Sequence, residues 1–465
     1  MMRNIVRALI SGVAISAAAA TLPASAWADT LFGAMEKAYI TNPTLNAARA
    51  GQRATDELVP QALSGWRPTV GASAEIDKTY ANGPVGVDVD GDIVRDSSDQ
   101  FSGNLAIQLN QPLFRGFGTV NRVKGAEARV DASKQNLLGT EQQVLFDVVQ
   151  SYMNVYAGRQ FVVLRRQDVA ALQAQVRAAR DRFTVGEITR TDVAQAEARL
   201  AESQSLLVNA QSDLASAVAS YVQVVGQEPG KLNYPKVVSI PNSLKTALDI
   251  AGGINPQLLA QAFVEVARGN DIKVAFSNLL PSADLVATGV RDDPDLQKED
   301  NHSNSFQIGA QLSIPIYEGG LVYSQVREAK QLASQSRIQV IEVARSVRQA
   351  VAASWNEYVG LAQIIRNTRT QVRAAQLALN GVQQEYQAGT RTTLDVLDAQ
   401  RDLVQAQVLQ VTAERNRVIS GYQLLANIGH LTATEVGLKV PVYDPDENYR
   451  RVRNKWIGTD VKTVE

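Results

Sequence analysis

The chain has 465 residues, with 46 Lys and Arg against 47 Asp and Glu, two His, no Cys and a net charge of −1. This balance gives no basic field for nucleic acid, and the lack of Cys excludes disulfides and lipid attachment at a Cys. Two His are too few for a His-rich metal site, and no catalytic or nucleotide-binding motif stands out. We therefore expect a protein that is not an enzyme and needs no metal or cofactor.

The N-terminal segment 1-28 has the features of an export signal peptide. Arg3 and Arg7 supply positive charge before a short apolar run, and Ala26-Trp27-Ala28 has the small-residue spacing of a cleavage site. The mature chain is predicted to begin at Asp29.

The rest of the chain contains an internal repeat. The segment from Asn42 to Pro68 returns from Asn255 to Pro281 at an offset of 213, and Leu109 to Gly226 returns as Leu312 to Gly429 at an offset of 203. A duplication this long and free of gaps predicts two copies of one unit, with a loop of variable length between the matched stretches. The predicted divisions are repeat 1 over 29-230, repeat 2 over 231-430 and a polar C-terminal segment over 431-465.

Each copy has two segments in which apolar and polar residues alternate with period two. This pattern is typical of a strand with one apolar and one polar face. The predicted strands lie near 66-80, 101-114, 281-291 and 304-317, and about ten residues suffice for a tilted strand to cross a bilayer. The acid-rich segments 81 to 100 and 291 to 304 are predicted as loops in water.

The stretches between Pro112 and Pro229 and between Pro315 and Pro441 contain no proline and are rich in helix-forming residues. Large and small residues recur there in adjacent columns at heptad spacing, which indicates a close coiled-coil seam. The run from 118 to 184 would span about 100 Å as a helix. Interruptions near Gly186 and Gly389 predict that each copy folds back as an antiparallel helical hairpin with its tip there.

Four strands per chain are too few to close a membrane-spanning sheet. Backbone amides in lipid must be paired, and the smallest ordinary barrels have about eight strands. Two copies of the whole chain would supply eight strands, and three copies of the chain would supply twelve. The alternative is a soluble periplasmic coiled-coil protein with a small β domain.

Several segments together resemble the TolC family of outer-membrane efflux and secretion channels. They are Phe183 to Val193, Tyr386 to Ala399, the Asn-Pro helix starts at 42 and 255, and the exit Gly226-Gln-Glu-Pro229. The resemblance covers essentially the whole mature chain. It implies an α+β fold, in which a trimeric 12-stranded transmembrane β-barrel with four strands per chain continues into a long periplasmic α-helical coiled-coil barrel.

The same resemblance implies a passive exit duct of a tripartite efflux pump or type I secretion system, in the outer membrane of a Gram-negative bacterium. The implied partners are two further copies in a homotrimer, outer-membrane lipid, a periplasmic adaptor (membrane fusion) protein and an inner-membrane pump of the RND, ABC or a similar class. The alternative function is a periplasmic coiled-coil adaptor or scaffold protein.

Asp395 and Asp398 are predicted to form the pore constriction. Their spacing of three residues puts them on one helix face, and the resemblance places them at a narrow periplasmic entrance. Rings of like charge there would raise some carboxylate pKa values. The alternative is a pair of solvated acids near a helix start, where negative charge is favourable.

Further roles at the two tips also follow from the resemblance. Tyr386 and Arg391 of the second hairpin are expected to reach the first hairpin near Thr191 and Asp192 and to hold the entrance shut, the alternative being ordinary exposed charges of small energy. The predicted adaptor-docking residues are Val185, Gly186, Glu187, Ala388, Gly389 and Thr390. Glu187 departs from the apolar residue expected after that Gly, and either Gly could be present only to make the turn.

Overall fold

The computed structural model describes residues 30–87, 89–90, 93–235, 239–296 and 302–461. The predicted signal peptide 1-28 lies outside the described residues. The strands are β1 (Thr69–Val87), β2 (Ile93–Arg115), β3 (Ser282–Asp293) and β4 (Ser303–Ser313). The helices are α1 (Leu31–Thr41), α2 (Pro43–Asp56), α3 (Leu58–Leu63), α4 (Gly118–Thr184), α5 (Arg190–Val225), α6 (Leu244–Ile254), α7 (Pro256–Ser277), α8 (Leu321–Gln387), α9 (Thr393–Ile428), α10 (Ala433–Val436) and α11 (Pro445–Val452). No helix in these ranges combines the length and the apolar character needed to span a membrane.

The long helices of the two copies have equal lengths. Helices α4 and α8 have 67 residues each, and α5 and α9 have 36 each. At a rise of about 1.5 Å per residue, α4 and α8, the long arms of the hairpins, extend about 100 Å. Helices α5 and α9, the short arms, extend about 54 Å. Within the chain α4 packs against α5 and α9, and α9 packs against α8. The four helices therefore lie in the order α5, α4, α9, α8, with the two hairpins side by side.

The two Asn-Pro motifs join the short arms to the helices that continue them. Asn42 accepts a hydrogen bond from the Thr44 amide at 2.9 Å and donates one to the Val224 carbonyl at 2.9 Å. Asn255 likewise caps α7 and donates to the Asn427 carbonyl at 2.8 Å. Each Asn thus satisfies the N-terminus of one helix and the C-terminal end of another. As a result α2 begins where α5 ends, and α7 begins where α9 ends.

A left-handed Gly ends each short arm. Gly226 has φ 85° and Gly429 has φ 97°, a backbone conformation that favours glycine. A Cβ added at Gly429 would lie only 2.9 Å from the Ile254 carbonyl oxygen. The close approach of α6 to the end of α9 therefore depends on the absence of a side chain.

The largest apolar core lies at the middle of the helical part, where α1, α6 and the ends of α5 and α9 meet the long arms. Its largest fully buried side chains include Tyr39, Tyr152, Tyr221 and Tyr422. The Tyr152 hydroxyl donates a hydrogen bond to the Asn233 carbonyl at 2.7 Å, which satisfies the polar end of a buried ring. This core fixes the two hairpins to each other far from their tips.

The four strands form one antiparallel sheet in the order β1-β2-β3-β4. Its register aligns Val70 with Leu109, Leu109 with Ala287 and Ala287 with Ile308. Residues opposite each other in a sheet share a face, so these aligned apolar positions form one continuous surface, while Val286 and Val290 of β3 lie on the opposite face. Val70 is 68% and Ile308 is 62% exposed in the single chain. The opposite face carries Thr69, Ser73, Glu75, Asn104, Gln108, Asn110, Thr288, Gln307 and Gln311.

The prediction of a loop over 81 to 100 is wrong. Strand β1 continues to Val87 and β2 starts at Ile93, with Tyr80 paired to Asp99 in the register. An acidic composition indicates contact with water, but backbone amides pair across a ladder whatever the polarity of the side chains. Strands β3 and β4 form the second β-hairpin. Strand β4 ends at Ser313, short of the predicted 317, and Pro315, which follows it, has no amide N–H.

The sequence leaves two placements open for the segment after Pro441, either against the long helices of the chain or free in solvent. The structure packs it against the first copy. The Tyr443 amide donates to the Tyr39 hydroxyl at 3.1 Å, and the Tyr443 hydroxyl donates to Gln52 at 3.0 Å. Lys134 of α4 pairs with Asp446 at 2.6 Å. Helix α11 therefore covers α2 and α4.

A buried carboxyl group anchors α11. Asp56 is fully buried, and it accepts hydrogen bonds from Gln52 at 2.7 Å and from Asn448 at 2.8 Å. Burial raises the pKa of Asp56 to about 6, against the hydrogen bond from Asn448, which lowers it. The folded chain therefore binds a proton at this site more readily than the unfolded chain does.

This shift predicts a pH dependence of stability. The stability linked to Asp56 is fully present below its unfolded pKa of 3.8 and is lost as the pH rises through about 6. We expect Asp56→Asn to flatten the slope of the melting temperature between about pH 4 and pH 7, measured by circular dichroism in detergent. Asp213→Asn, on the exposed surface of α5, should keep the wild-type slope. An Asp56→Asn slope equal to that of the wild type would contradict the prediction.

Candidate functional site at the hairpin tips

The two tips have the same turn. Gly186 has φ 81° and Gly389 has φ 78°, and the Gly amides donate to the carbonyls of Phe183 at 3.0 Å and Tyr386 at 3.1 Å. A Cβ at either Gly would meet open space, so only the backbone conformation favours Gly there. The predicted docking residues Val185, Gly186, Glu187, Ala388, Gly389 and Thr390 are all exposed.

A capping box follows each turn. Asp192 accepts a hydrogen bond from the Thr189 amide at 2.9 Å, and Asp395 accepts one from the Thr392 amide at 2.9 Å. In both cases the Thr hydroxyl accepts a hydrogen bond from the Asp amide in return. The two carboxylates therefore have the same local role. The Thr-x-x-Asp spacing at both tips is a sequence signal of this role.

The capping bonds act on the charge of Asp395. The hydrogen bond from the Thr392 amide lowers the pKa of Asp395, and the Thr392 hydroxyl and the charge of Arg391 act in the same direction. Within the chain this carboxyl is thus favoured in its charged form. The raised carboxylate pKa values expected at the constriction concern rings of like charge from several chains, and that expectation stays a prediction.

Asp398, the second predicted constriction residue, lies between two guanidinium groups. Its carboxylate is 3.3 Å from Arg199 on α5 and 3.4 Å from Arg401 on its own helix. The first of these pairs joins the two hairpins. Arg199 is not among the residues predicted from the sequence, although the repeat offers a signal, since the equivalent position in the second copy is Asp402.

Arg391 bonds within its own hairpin. Its Nε donates to Glu385 at 2.7 Å, and both side chains are about half exposed. Among the described residues the structure does not join Arg391 to Thr191, which is exposed, or to Asp192, which caps α5. The latch assigned to these residues stays a prediction.

Tyr386 is in contact with the first hairpin, through a different residue from those predicted. The guanidinium carbon of Arg182 lies 4.4 Å from the Tyr386 ring centroid, a cation–π geometry. The Tyr386 hydroxyl lies 3.3 Å from the Thr393 hydroxyl of its own hairpin. Arg182 of α4 is therefore a tip residue that was not predicted from the sequence.

A short segment of α9 is attached to the first hairpin. Asp168 of α4 is only 7% exposed, and it accepts hydrogen bonds from Ser203 of α5 at 2.7 Å and from Gln400 of α9 at 3.2 Å. Leu397, also buried, packs into the apolar cluster around Leu172. The residues from Leu397 to Gln400, which include Asp398, are thus held in place by both polar and apolar contacts.

These contacts are present on one side of the repeat only. The equivalents of Asp168, Ser203 and Gln400 at the offset of 203 are Gln371, Ala406 and Glu197. The buried carboxylate and both of its donors are therefore absent at the symmetric positions. This loss of symmetry is a sequence signal that could have identified the contact.

We expect Ser203→Ala to destabilise the protein by about 1.5–3 kcal/mol, because it removes a donor from a buried charged group. Ser205→Ala, two residues along α5, is the control, since Ser205 is exposed and its hydroxyl donates to the Ala201 carbonyl of its own helix. Urea denaturation followed by circular dichroism measures the difference. Equal midpoints for the two variants would contradict the proposed role of this hydrogen bond.

The comparisons with known proteins agree with this architecture. The family model of outer membrane efflux proteins matches residues 34–227 and 248–430, which is most of the chain. The chain belongs to the outer membrane efflux protein family. It is 40% identical to the outer membrane efflux protein BepC of Brucella suis, over 97% of this chain and 95% of that protein. It is 27% identical to the outer membrane protein TolC of Escherichia coli, over 90% of this chain and 87% of that protein.

Solved structures of outer membrane channels share the fold. The CmeC outer membrane channel of Campylobacter jejuni superposes with a TM-score of 0.75 at 15% identity, covering 91% of this chain and 89% of that one. The outer membrane protein VceC of Vibrio cholerae gives 0.73 at 18% identity, covering 86% of this chain and 96% of that one. Family membership confirms the predicted resemblance, the outer-membrane location and a role in efflux or secretion. It does not favour the alternative of a periplasmic adaptor or scaffold.

Proposed function

We propose that three copies of this chain form one outer-membrane channel, in which a barrel of twelve strands continues into a helical barrel in the periplasm. The channel is the passive exit duct of a tripartite efflux pump or type I secretion system. The observation that carries the proposal is that the sheet ends in two open edges. In the part of the chain that the structure describes, β1 pairs only with β2 and β4 only with β3.

The open edges require other chains. Unpaired backbone groups are costly in lipid, so a membrane-spanning sheet has to close on itself. Four strands fall short of the roughly eight in the smallest barrels, and the continuous apolar face of this sheet is exposed in the single chain. Three copies would supply twelve strands, the number that the family resemblance implies.

The helical layer has open edges of the same kind. Helices α5 and α8 are the outer members of the order α5, α4, α9, α8. Val208 on α5 is 62% exposed, and Leu377 on α8 is 74% exposed. The α8 edge of one copy can therefore cover the α5 edge of the next, which is how repeated head-to-tail contacts close a ring. The edges of the sheet and the edges of the helical layer can therefore both be covered by the rotation that relates one copy of the chain to the next.

The channel acts by conduction and not by catalysis. Energy is supplied by an inner-membrane pump, and a periplasmic adaptor docks at the tips around Gly186 and Gly389. The open space above each Gly supports this role, since a partner hairpin can approach the backbone closely. Glu187 gives the first tip a charge where the second has Thr390, so the two docking turns differ in the adaptor surface that they recognise.

The lipid-facing role of the sheet can be tested with two neighbouring residues. Phe306 lies on the apolar face of β4 and Gln307 on the opposite face. We expect Phe306→Arg to cost about 2–4 kcal/mol if the residue lies near the bilayer centre, whereas Gln307→Arg faces the lumen and is tolerated. The measurement is the amount of heat-sensitive trimer on gels of outer-membrane fractions. A wild-type protein that remains monomeric and water-soluble after detergent removal would overturn the proposed function.

The predicted latch is part of the same proposal. Tyr386 and Arg391 would hold the entrance shut through Thr191 and Asp192 of an adjacent hairpin. Arg391 is suited to this role because its present partner Glu385 is exposed, and exchanging one exposed partner for another costs little.

We expect the double variant Tyr386→Phe, Arg391→Ser to raise single-channel conductance in planar bilayers, because it removes the latch donors but keeps the ring that Arg182 contacts. The control is Arg450→Ser, which breaks an equally exposed pair with Asp444 on the C-terminal segment. If the double variant conducts no better than this control, the latch assignment is wrong.

A further inference from the structure

Five charged side chains on α5 and α9 form a continuous series of ion pairs, here called the inter-hairpin charge network. Glu202 pairs with Arg199 at 3.1 Å, and Arg199 pairs with Asp398 at 3.3 Å. Asp398 also pairs with Arg401 at 3.4 Å, and Arg401 pairs with Asp402 at 3.4 Å. The link between Arg199 and Asp398 is the one that connects the two hairpins.

The network makes the two predicted constriction carboxylates unequal. Asp398 forms ion pairs with two guanidinium groups, which it shares with Glu202 and Asp402. Asp395 is bound by the neutral amide and hydroxyl of Thr392. The nearby Arg391 pairs with Glu385 at 2.7 Å, and its charge also acts on Asp395. Among the described residues, ion-paired cations therefore flank Asp398 but not Asp395, which lies one helix turn away.

The two cations beside Asp398 also differ from each other. Arg401 is three residues further along the same helix, so its position relative to Asp398 does not depend on the other hairpin. Arg199 belongs to α5 and compensates Asp398 only while the two hairpins are in contact. At the symmetric positions of the repeat stand Asp402 and Gln195, which cannot form an ion pair. The cross-hairpin compensation is therefore a property of this one contact.

The contact is held in register by its neighbours. Leu397 is buried in the first hairpin, and Gln400 donates to the buried Asp168. Asp398 lies between these two anchored residues, so its carboxylate is kept within reach of Arg199 as long as α9 stays attached to the first hairpin.

We propose that Arg199 is a selectivity-determining residue of the channel entrance. It offsets the charge of Asp398 while the hairpins are in contact, so that Asp395 is the carboxylate that attracts cations, and separation of the hairpins exposes the charge of Asp398 as well. Carboxylate rings favour cations in a narrow pore, and removing their counter-charge strengthens that preference. The inference rests on the proposed channel function.

The test uses the full-length trimer in planar bilayers under a potassium chloride gradient. Arg199→Gln should shift the reversal potential toward the potassium equilibrium potential, while Arg199→Lys should stay near the wild-type value. The matched control is Arg180→Gln. Arg180 pairs with Glu197 on the exposed surface of the first hairpin, so this variant also removes one positive charge per chain but leaves Asp398 compensated.

A second measurement separates an effect through Asp398 from a general structural effect. In an Asp398→Asn background there is no carboxylate to expose, so Arg199→Gln should shift the reversal potential less than it does in the wild type. Two groups that act through each other give such non-additive changes. Equal shifts in the two backgrounds would overturn the inference.

The remaining outcomes distinguish the inference from the function on which it rests. A wild-type protein that forms no channels would overturn the proposed function. Channels in which Arg199→Gln behaves like Arg180→Gln would overturn the inference alone. If Arg199→Gln does not assemble, Asp395→Asn is compared with Asp398→Asn. The inference expects the larger loss of cation preference from Asp395→Asn, and an equal or larger loss from Asp398→Asn overturns it.

Discussion

Backbone groups at the two edges of the four-stranded sheet form the constraint on which the rest of the structure depends. Strand β1 offers one open ladder and β4 the other, and such groups need partners wherever lipid replaces water. The helical part follows the same logic, because α5 and α8 expose apolar side chains at the two ends of a single layer. In the proposed channel the chain is therefore one sector of a closed ring, and its duplication brings two helical hairpins into each sector.

The repeat supplies a symmetric skeleton on which a few asymmetric residues act. Asn42 and Asn255 make the same two kinds of hydrogen bond, so each copy stacks its shorter helices in the same way. Asp168 and Arg199 break this symmetry, because both bind α9 and have no counterparts at the equivalent positions. The equivalent residues of the two repeats therefore stack the long and short helices in the same way. The residues that differ between the repeats set the position and charge of the α9 segment near the tip.

Much of this architecture could be predicted, and the errors have identifiable causes. The proline-free run over 118 to 184 is α4, because a long stretch of helix formers between prolines has few alternatives. The acidic composition of the stretch over 81 to 100 favours a loop, yet its described residues are largely a β-hairpin, since side-chain polarity does not report backbone pairing. The contact between Arg199 and Asp398 joins residues 199 positions apart, and no local pattern encodes such a partner.

The sequence by itself determined the elements that depend on periodicity and on local backbone chemistry: the duplication, the long helices, the Gly turns and the alternating strands. These follow from interactions between residues near one another in the chain. Only the tertiary structure decided that Asp398 is compensated while Asp395 caps its helix, that Asp168 joins three helices, and that α11 covers the trunk through Asp56. Each of these requires two distant segments to lie within hydrogen-bonding or ion-pairing distance, which is set by helix packing and not by the spacing of residues along the chain.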